Sequence, residues 1–434
     1  MKQASSPLAM TVKTMQMSGI QPVSPLKLGE GWLAAPIPHQ NGIANAMREI
    51  KPENEEPRFT LDGSAALERH LSRICHQVRE AVQGAIPGPS LQGLLLGGGY
   101  GRGEGGVLRE AGEDKPYNDL EFYVLARTQS GLAGRKMRRA LHQIAEPLSH
   151  SAGIEVEFKL LTPEALRRSG PTMFYYDLVL GHRRLLGGED LLAGCGHHRA
   201  ADQIPLHEAA RLWMNRASGL LFSLERLQRP EFTSADADFV GRNLAKARLA
   251  WGDIVLAALG AYHWSCRERN RRLHALAAAD LPFSLAEIRR HHDAGVEFKL
   301  HPVRNASPRP ALAAEHRELA QLGLALLLWL ENRRLGTAFT TAREYARSGV
   351  DKCPETARWK NWLLTGRALG LGAALGRGAG RYPRGRMLDA LALLLEEGAG
   401  DEPDRAFLRQ RLHTRATDLA GLVAAHENLW RRFG

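Results

Sequence analysis

Residues 91–125, LQGLLLGGGYGRGEGGVLREAGEDKPYNDLEFYVL, constrain the fold of this 434-residue chain more than any other stretch. Leu91 to Leu96 reads as a strand and runs into a glycine-dense loop. Leu120 to Leu125 reads as a second strand, with Asp119 and Glu121 at its start. Residues i and i+2 of a strand point to one face, so both carboxylates aim at the loop. A glycine loop is a place where backbone N–H groups close on phosphate. Phosphate cradle and paired hard oxygen ligands together suit magnesium-dependent transfer from a nucleoside triphosphate.

The flanking segments predict a small α/β unit. Asp62 or Ser64 caps a helix reaching about Val82, with Ala66, Leu67, Leu71, Ile74, Val78 and Val82 on one face. Pro87-Gly88-Pro89 stops it. A basic amphipathic helix spans Gly131 to His150 on an apolar stripe of Leu132, Met137, Leu141, Ile144 and Leu148. A third strand, Ile154 to Leu161, places Glu155, Glu157 and Lys159 at alternate positions. Thr162-Pro163-Glu164 then supplies an N-cap and a proline at the first helical position.

From about residue 172 the hydrophobic period is helical. The expected helices are Met173–Leu186, Leu206–Leu227, Ala235–Cys266, Ala311–Leu335, Arg386–Glu397 and Pro403–Arg432, punctuated at Pro302–Pro310 and Gly366–Gly385. Residues 1–58 are rich in Pro, Ser, Gln and Asn, show no sustained period, and read as a flexible leader. The expected fold is an α/β (α+β) domain with a small mixed sheet over residues 59–200. A larger all-helical, substrate-selecting domain follows over residues 201–434.

Composition narrows the classes. An apolar fraction of 44% and a charged fraction of 24% are ordinary for a globular protein. The net charge is +11, and of the 58 basic residues 11 are lysine and 47 arginine. They are spread along the chain rather than clustered, as the arginine usage of a GC-rich genome would produce. Cys75, Cys195, Cys266 and Cys353 form no metal or disulfide spacing, and Cys195-Gly-His197-His198 lacks a second pair to complete a zinc set. No apolar h-region follows the N-terminus, and the longest apolar run, Leu322 to Leu330, is too short for a bilayer. A cytoplasmic protein with no membrane segment is expected.

Gly98-Gly99-Tyr100-Gly101-Arg102-Gly103-Glu104, followed by Asn118-Asp119-Leu120-Glu121, resembles the polymerase-β-type nucleotidyltransferase superfamily. Its nearest local match is to uridylyltransferases of the nitrogen-signalling PII protein, which carry a Gly-Gly-Tyr-Gly-Arg-Gly-Glu run before an Asp-x-Asp pair. The resemblance covers roughly residues 60–195 and includes Arg184-Leu185-Leu186-Gly187; the helical HD and ACT domains of the uridylyltransferases are not evident beyond it. It implies that Asp119 and Glu121 ligate metal, Mg²⁺ or Mn²⁺. A third acid falls at Glu157 or Glu155, with Glu157 preferred. Gly98, Gly99, Tyr100 and Arg102 would meet the triphosphate, and Lys246 would reach it from the helical domain. The second acid is Glu where the family most often has Asp, and the spacer from Glu104 to Asp119 is longer than in the uridylyltransferases.

The implied reaction moves an NMP from an NTP to a hydroxyl acceptor and releases pyrophosphate. A small molecule or a protein suits the acceptor better than RNA, since no aromatic-rich basic cluster or RNA module is present. The alternative is a catalytically inactive nucleotide sensor or interaction protein on the same fold. Gly101 to Gly106 also fits the dinucleotide G-x-G-x-x-G pattern, but that fingerprint needs a helix before the acid. Val107 to Asn118, with Gly112 and Pro116 and no apolar stripe, predicts none.

Overall fold

A computed structural model describes residues 58–277, 281–370, 373, 379–398 and 400–434. Apart from Arg58, the expected leader lies outside the described residues. The chain forms a small mixed α/β part followed by a large helical part.

The first part opens with α1 (Ala65–Ala85), whose N-cap Ser64 accepts a hydrogen bond from the N–H of Leu67. Strand β1 (Leu91–Leu96) leads into a single helical turn, α2 (Gly98–Gly101). A hairpin follows, β2 (Val107–Glu110) and β3 (Glu113–Pro116), and then β4 (Leu120–Ala126). The hairpin stands where a dinucleotide fold would need its helix. Next come α3 (Gly131–Ala152), β5 (Val156–Leu161), α4 (Pro163–Arg168), α5 (Met173–Leu180) and β6 (Arg183–Leu186). Thr162 caps α4 by accepting from the N–H of Ala165, with Pro163 in the first turn.

The main sheet has the order β5-β4-β1-β6. Strand β1 is antiparallel to both β4 and β6, and β4 is parallel to β5. Period-two alternation sorts its side chains. Leu94, Leu96, Phe122 and Val124 pack with Leu71, Val78, Met137 and Leu141 of α1 and α3. Leu95, Tyr123 and Leu125 face the other way, onto Leu178 of α5. Residues 119, 121 and 123 share a parity, so the acids lie on the α5 side of the sheet, which the helical part also borders.

The helical part is built on α6 (Leu206–Gln228), α7 (Ser234–Ala258), α8 (Cys266–Ala275), α9 (Leu285–Leu300) and α10 (Arg309–Leu335). Beyond them lie α11 (Ala342–Arg347), α12 (Arg358–Leu369), α13 (Pro383–Glu397), α14 (Glu402–Leu412) and α15 (Leu419–Phe433). Trp213 and Trp251 are fully buried at its centre. Their indoles donate to the carbonyls of Gly323, at 2.6 Å, and Leu319, at 3.1 Å, so each meets its polar need inside the core. No described helix is long and apolar enough to cross a membrane.

Three expected helices divide. The Met173–Leu186 segment stops at Leu180, and Arg183–Leu186 instead pairs with the edge of β1, where open backbone groups are available. The Ala235–Cys266 segment stops at Ala258. Gly260 turns the chain at φ +69°, and Ser265 caps a separate helix. The Pro403–Arg432 segment breaks where His413 takes φ +54° and Asp418 caps the last helix. Apolar residues on both sides of each break keep the periodic signal continuous, which hides the turn.

Candidate nucleotide and metal site

The parallel pairing of β4 with β5 assembles the acids. Glu121 lies opposite Glu157 in register, and Leu120 lies opposite Val156. The N–H of Leu120 donates to the carbonyl of Glu155 at 2.8 Å, which sets Asp119 beside Glu155 at the mouth of the same strand pair. Four carboxylates thus form two neighbouring pairs on one face. The sequence left Glu155 and Glu157 open as the third acid; the register places Glu157 against Glu121 and Glu155 against Asp119.

Their electrostatics differ. Burial pushes Glu155 upward, and the like charges of Glu157 and Asp119 add to it. Burial also works against ionised Glu121, but Lys159 and the Tyr123 hydroxyl outweigh it and hold its pKa low. That hydroxyl donates to Glu121 at 2.5 Å. The Lys159 ammonium sits 3.3 Å from Glu121 and 3.8 Å from Glu157. Asp119 is exposed and has no hydrogen-bond or ion-pair partner among the described residues.

The glycine loop packs directly against this face. The Gly97 N–H donates to the Glu121 carbonyl at 2.9 Å, extending the ladder up to the turn. Gly98 takes φ +62°, and a Cβ there would sit 3.1 Å from Glu121 Oε1. Only glycine meets both demands without strain. Gly98→Ala is therefore expected to lower stability by about 1–2 kcal/mol, read by urea unfolding. An unchanged unfolding midpoint would contradict this account of the turn. The N–H groups of Gly98 and Gly99 have no acceptor among the described residues, as expected for the first amides of a helical turn.

Two residues of the loop motif are committed to the scaffold. Tyr100 is only 1% exposed. Its hydroxyl donates to the Gly106 carbonyl at 2.9 Å and accepts from the Tyr117 N–H at 2.8 Å, pinning both ends of the β2–β3 hairpin. Its ring fills the space a Cβ would need at Gly105. Tyr100 thus shapes the loop from beneath. Arg102 is largely buried. It donates to the Trp264 carbonyl at 2.9 Å and pairs with Asp177 of α5 at 3.2 Å. A conformational change at Arg102 would have to break that pair before a forked contact with phosphate.

Glu104 joins the two parts. It is 6% exposed and accepts from the Ser265 hydroxyl at 2.5 Å, the Cys266 N–H at 2.9 Å and the Arg267 N–H at 3.4 Å. A carboxylate at the N-terminus of α8 suits the positive end of that helix. Burial opposes its ionised form, but these donors and Arg102 win and lower its pKa.

The helical part contributes a basic wall. Lys246 of α7 is solvent-exposed, yet its ammonium is pulled down to about 8. Its crowded surroundings cost hydration first, and then Arg216, Arg242 and Lys299 repel it, while Asp119 favours the charge. Lys246 thus lies near Asp119, at the border of the acidic face. Lys299 of α9 is likewise lowered by burial and then by Arg102. Arg216 of α6 is lowered by burial. None of Arg216, Lys246 and Lys299 has a hydrogen-bond or ion-pair partner among the described residues. Sequence reasoning singled out Lys246 and missed Arg216. A lone cation within an apolar helical stripe was the available signal for Arg216.

No family model matches the chain, and no curated protein matches it.

Proposed function

We propose that the chain is a metal-dependent nucleotidyltransferase, moving an NMP from an NTP to a hydroxyl acceptor and releasing pyrophosphate. The single observation that carries this reading is the array of four carboxylates on one sheet face, with Lys246 of the helical part near Asp119. The donor set fits a hard cation: Asp119, Glu121, Glu157 and Glu155 offer only oxygen, and burial followed by the like charges of Glu157 and Asp119 already raises Glu155. These residues would hold Mg²⁺ or Mn²⁺, which when bound would lower the pKa of an attacking hydroxyl and stabilise the leaving pyrophosphate. Lys246, Lys299 and Arg216 bind the triphosphate oxygens, and the N–H groups of Gly98 and Gly99 orient them. Glu155, with its raised pKa, accepts the acceptor's hydroxyl proton more readily than Glu121. The acceptor is a small hydroxylated molecule or a protein side chain, and a nucleoside triphosphate donor suits a cytoplasmic setting.

One observation favours a second reading, a non-catalytic nucleotide sensor. Lys159 lies between Glu121 and Glu157 and supplies a positive charge where an ion would otherwise sit. Calorimetric titration of ATP, UTP, CTP and GTP, each with Mg²⁺, with Mn²⁺ and without metal, separates the two. Metal-dependent binding of one triphosphate supports the transferase. Metal-independent binding supports the sensor, and no binding overturns both.

The same titration has a pH signature. Lys246 is protonated below about 8 and loses its charge as pH rises through that value. Triphosphate affinity is expected to fall above about pH 8 in the wild type. In Lys246→Arg the fall should be flattened, because guanidinium stays charged. An identical profile in the two proteins would remove Lys246 from the site.

A further inference from the structure

A second basic site lies in the helical part and shares no lining residue with the cleft. A small open recess, with room of about 20 Å³ for water-sized groups, is lined by Val350, Lys352, Arg381, Gly385, Arg386, Asp389 and Arg411. Four cations therefore face a single carboxylate. That carboxylate is already used. The Lys352 ammonium sits 2.9 Å from one oxygen of Asp389, and the Arg411 guanidinium 3.1 Å from the other. Lys352 is held further by the Tyr345 carbonyl at 2.8 Å and the Ser348 hydroxyl at 3.0 Å. Lys352 and Asp389 are both buried, so the floor of the recess is a built, rigid arrangement rather than a chance meeting of surface side chains.

Arg381 and Arg386 are left over. Neither has a hydrogen-bond or ion-pair partner among the described residues. Burial and then the like charge of Arg411 lower the pKa of Arg386, Asp389 offsets part of this, and Arg381 adds to the repulsion. The backbone adds to the imbalance. Gly385 and Arg386 belong to the first turn of α13, which has no side-chain cap and no acidic residue in that turn. Cations placed at the positive end of a helix are unfavourable unless an anion joins them.

We propose that this recess binds a small, multiply charged oxyanion of the phosphate class. Two guanidinium groups with no hydrogen-bond or ion-pair contact among the described residues, near one carboxylate already paired to Lys352 and Arg411 and beside a helix N-terminus, match a dianion better than a single charge. The recess is far smaller than the roughly 300–1,000 Å³ of pockets that enclose drug-sized ligands, so a small ion suits it and a whole nucleotide does not. The inference does not depend on the transferase reading, because the cleft and the recess have separate residues.

The test uses the full chain and inorganic phosphate, with sodium chloride at matched ionic strength as reference. Calorimetry and thermal unfolding should show saturable binding, with stabilisation that grows with phosphate concentration. Arg386→Gln should bind roughly tenfold more weakly, and Arg381→Gln should weaken binding in the same direction. Neither side chain has an internal partner, so both variants are expected to fold as the wild type does. Lys246→Met leaves the recess intact and should bind phosphate there as before. Phosphate acting no differently from chloride would overturn the proposal. So would undiminished binding in both arginine variants, or loss of binding in Lys246→Met alone, which would assign the phosphate to the cleft.

Discussion

Asp119→Ala is expected to abolish metal-dependent turnover, by roughly three orders of magnitude or more, and to leave stability within about 0.5 kcal/mol of the wild type. The two halves of this result have one cause. Asp119 is exposed at the mouth of the β4–β5 pair and has no hydrogen-bond or ion-pair partner among the described residues, so no close contact of the fold depends on it. Its carboxylate is therefore open to an exogenous cation. Removing one of the ligands that hold such an ion forfeits several kcal/mol of charge stabilisation at the reacting phosphate. Glu121→Ala is a less clean experiment. It strips the Tyr123 hydroxyl and Lys159 of their shared acceptor and so mixes structural and chemical effects. The paired measurement is product formation with each metal, alongside urea unfolding of the same preparation. Full turnover in Asp119→Ala would overturn the metal assignment, and a large loss of stability would overturn the description of Asp119 as structurally idle.

Glu104→Ala should be the opposite case, with a loss of about 2–4 kcal/mol in stability. The buried carboxylate answers the Ser265 hydroxyl and two backbone N–H groups at the start of α8. Truncation leaves those donors buried without an acceptor and also cuts a link between the sheet and the helical part. Its pH dependence follows from the sign of its shift. The folded pKa is lowered below the ordinary glutamate value. The stabilisation is thus fully present above the unfolded value and is lost as pH falls through the folded one. Urea unfolding of wild type and variant at neutral pH should show the full difference, and the gap should close on acidification through the carboxylate range. A difference below about 1 kcal/mol at neutral pH would mean that α8 keeps its start without Glu104.

These two residues also show how much was legible beforehand. Strands β1 and β4, the helices over 65–85 and 131–152, and the Thr162–Pro163 helix start were all readable, because each is written in local periodicity or a local cap. The shared face of Asp119 and Glu121 follows from the two-residue repeat of a strand alone. The division of the Ala235–Cys266 segment was not readable, since Tyr262 and Trp264 continue the apolar pattern through the turn. Nor was β6, whose partner is the edge of β1, some ninety residues earlier.

Within the candidate site the boundary runs the same way. The sequence by itself determined which residue types stand near one another along the chain: a glycine turn, two acids on one strand and two more on the next. Only the tertiary structure decided that Glu157 lies opposite Glu121, because strand register depends on pairing between segments separated by a helix. It also decided that Glu104 caps a helix 161 residues away, that Arg102 answers Asp177, and that Tyr100 is spent inside the fold. Motif spacing cannot distinguish a polar side chain that meets a ligand from one that meets a distant backbone donor. Lys246 stands near Asp119 for the same reason: the two belong to separate parts of the chain that meet only on folding, and a charge acquires its role from what stands across from it.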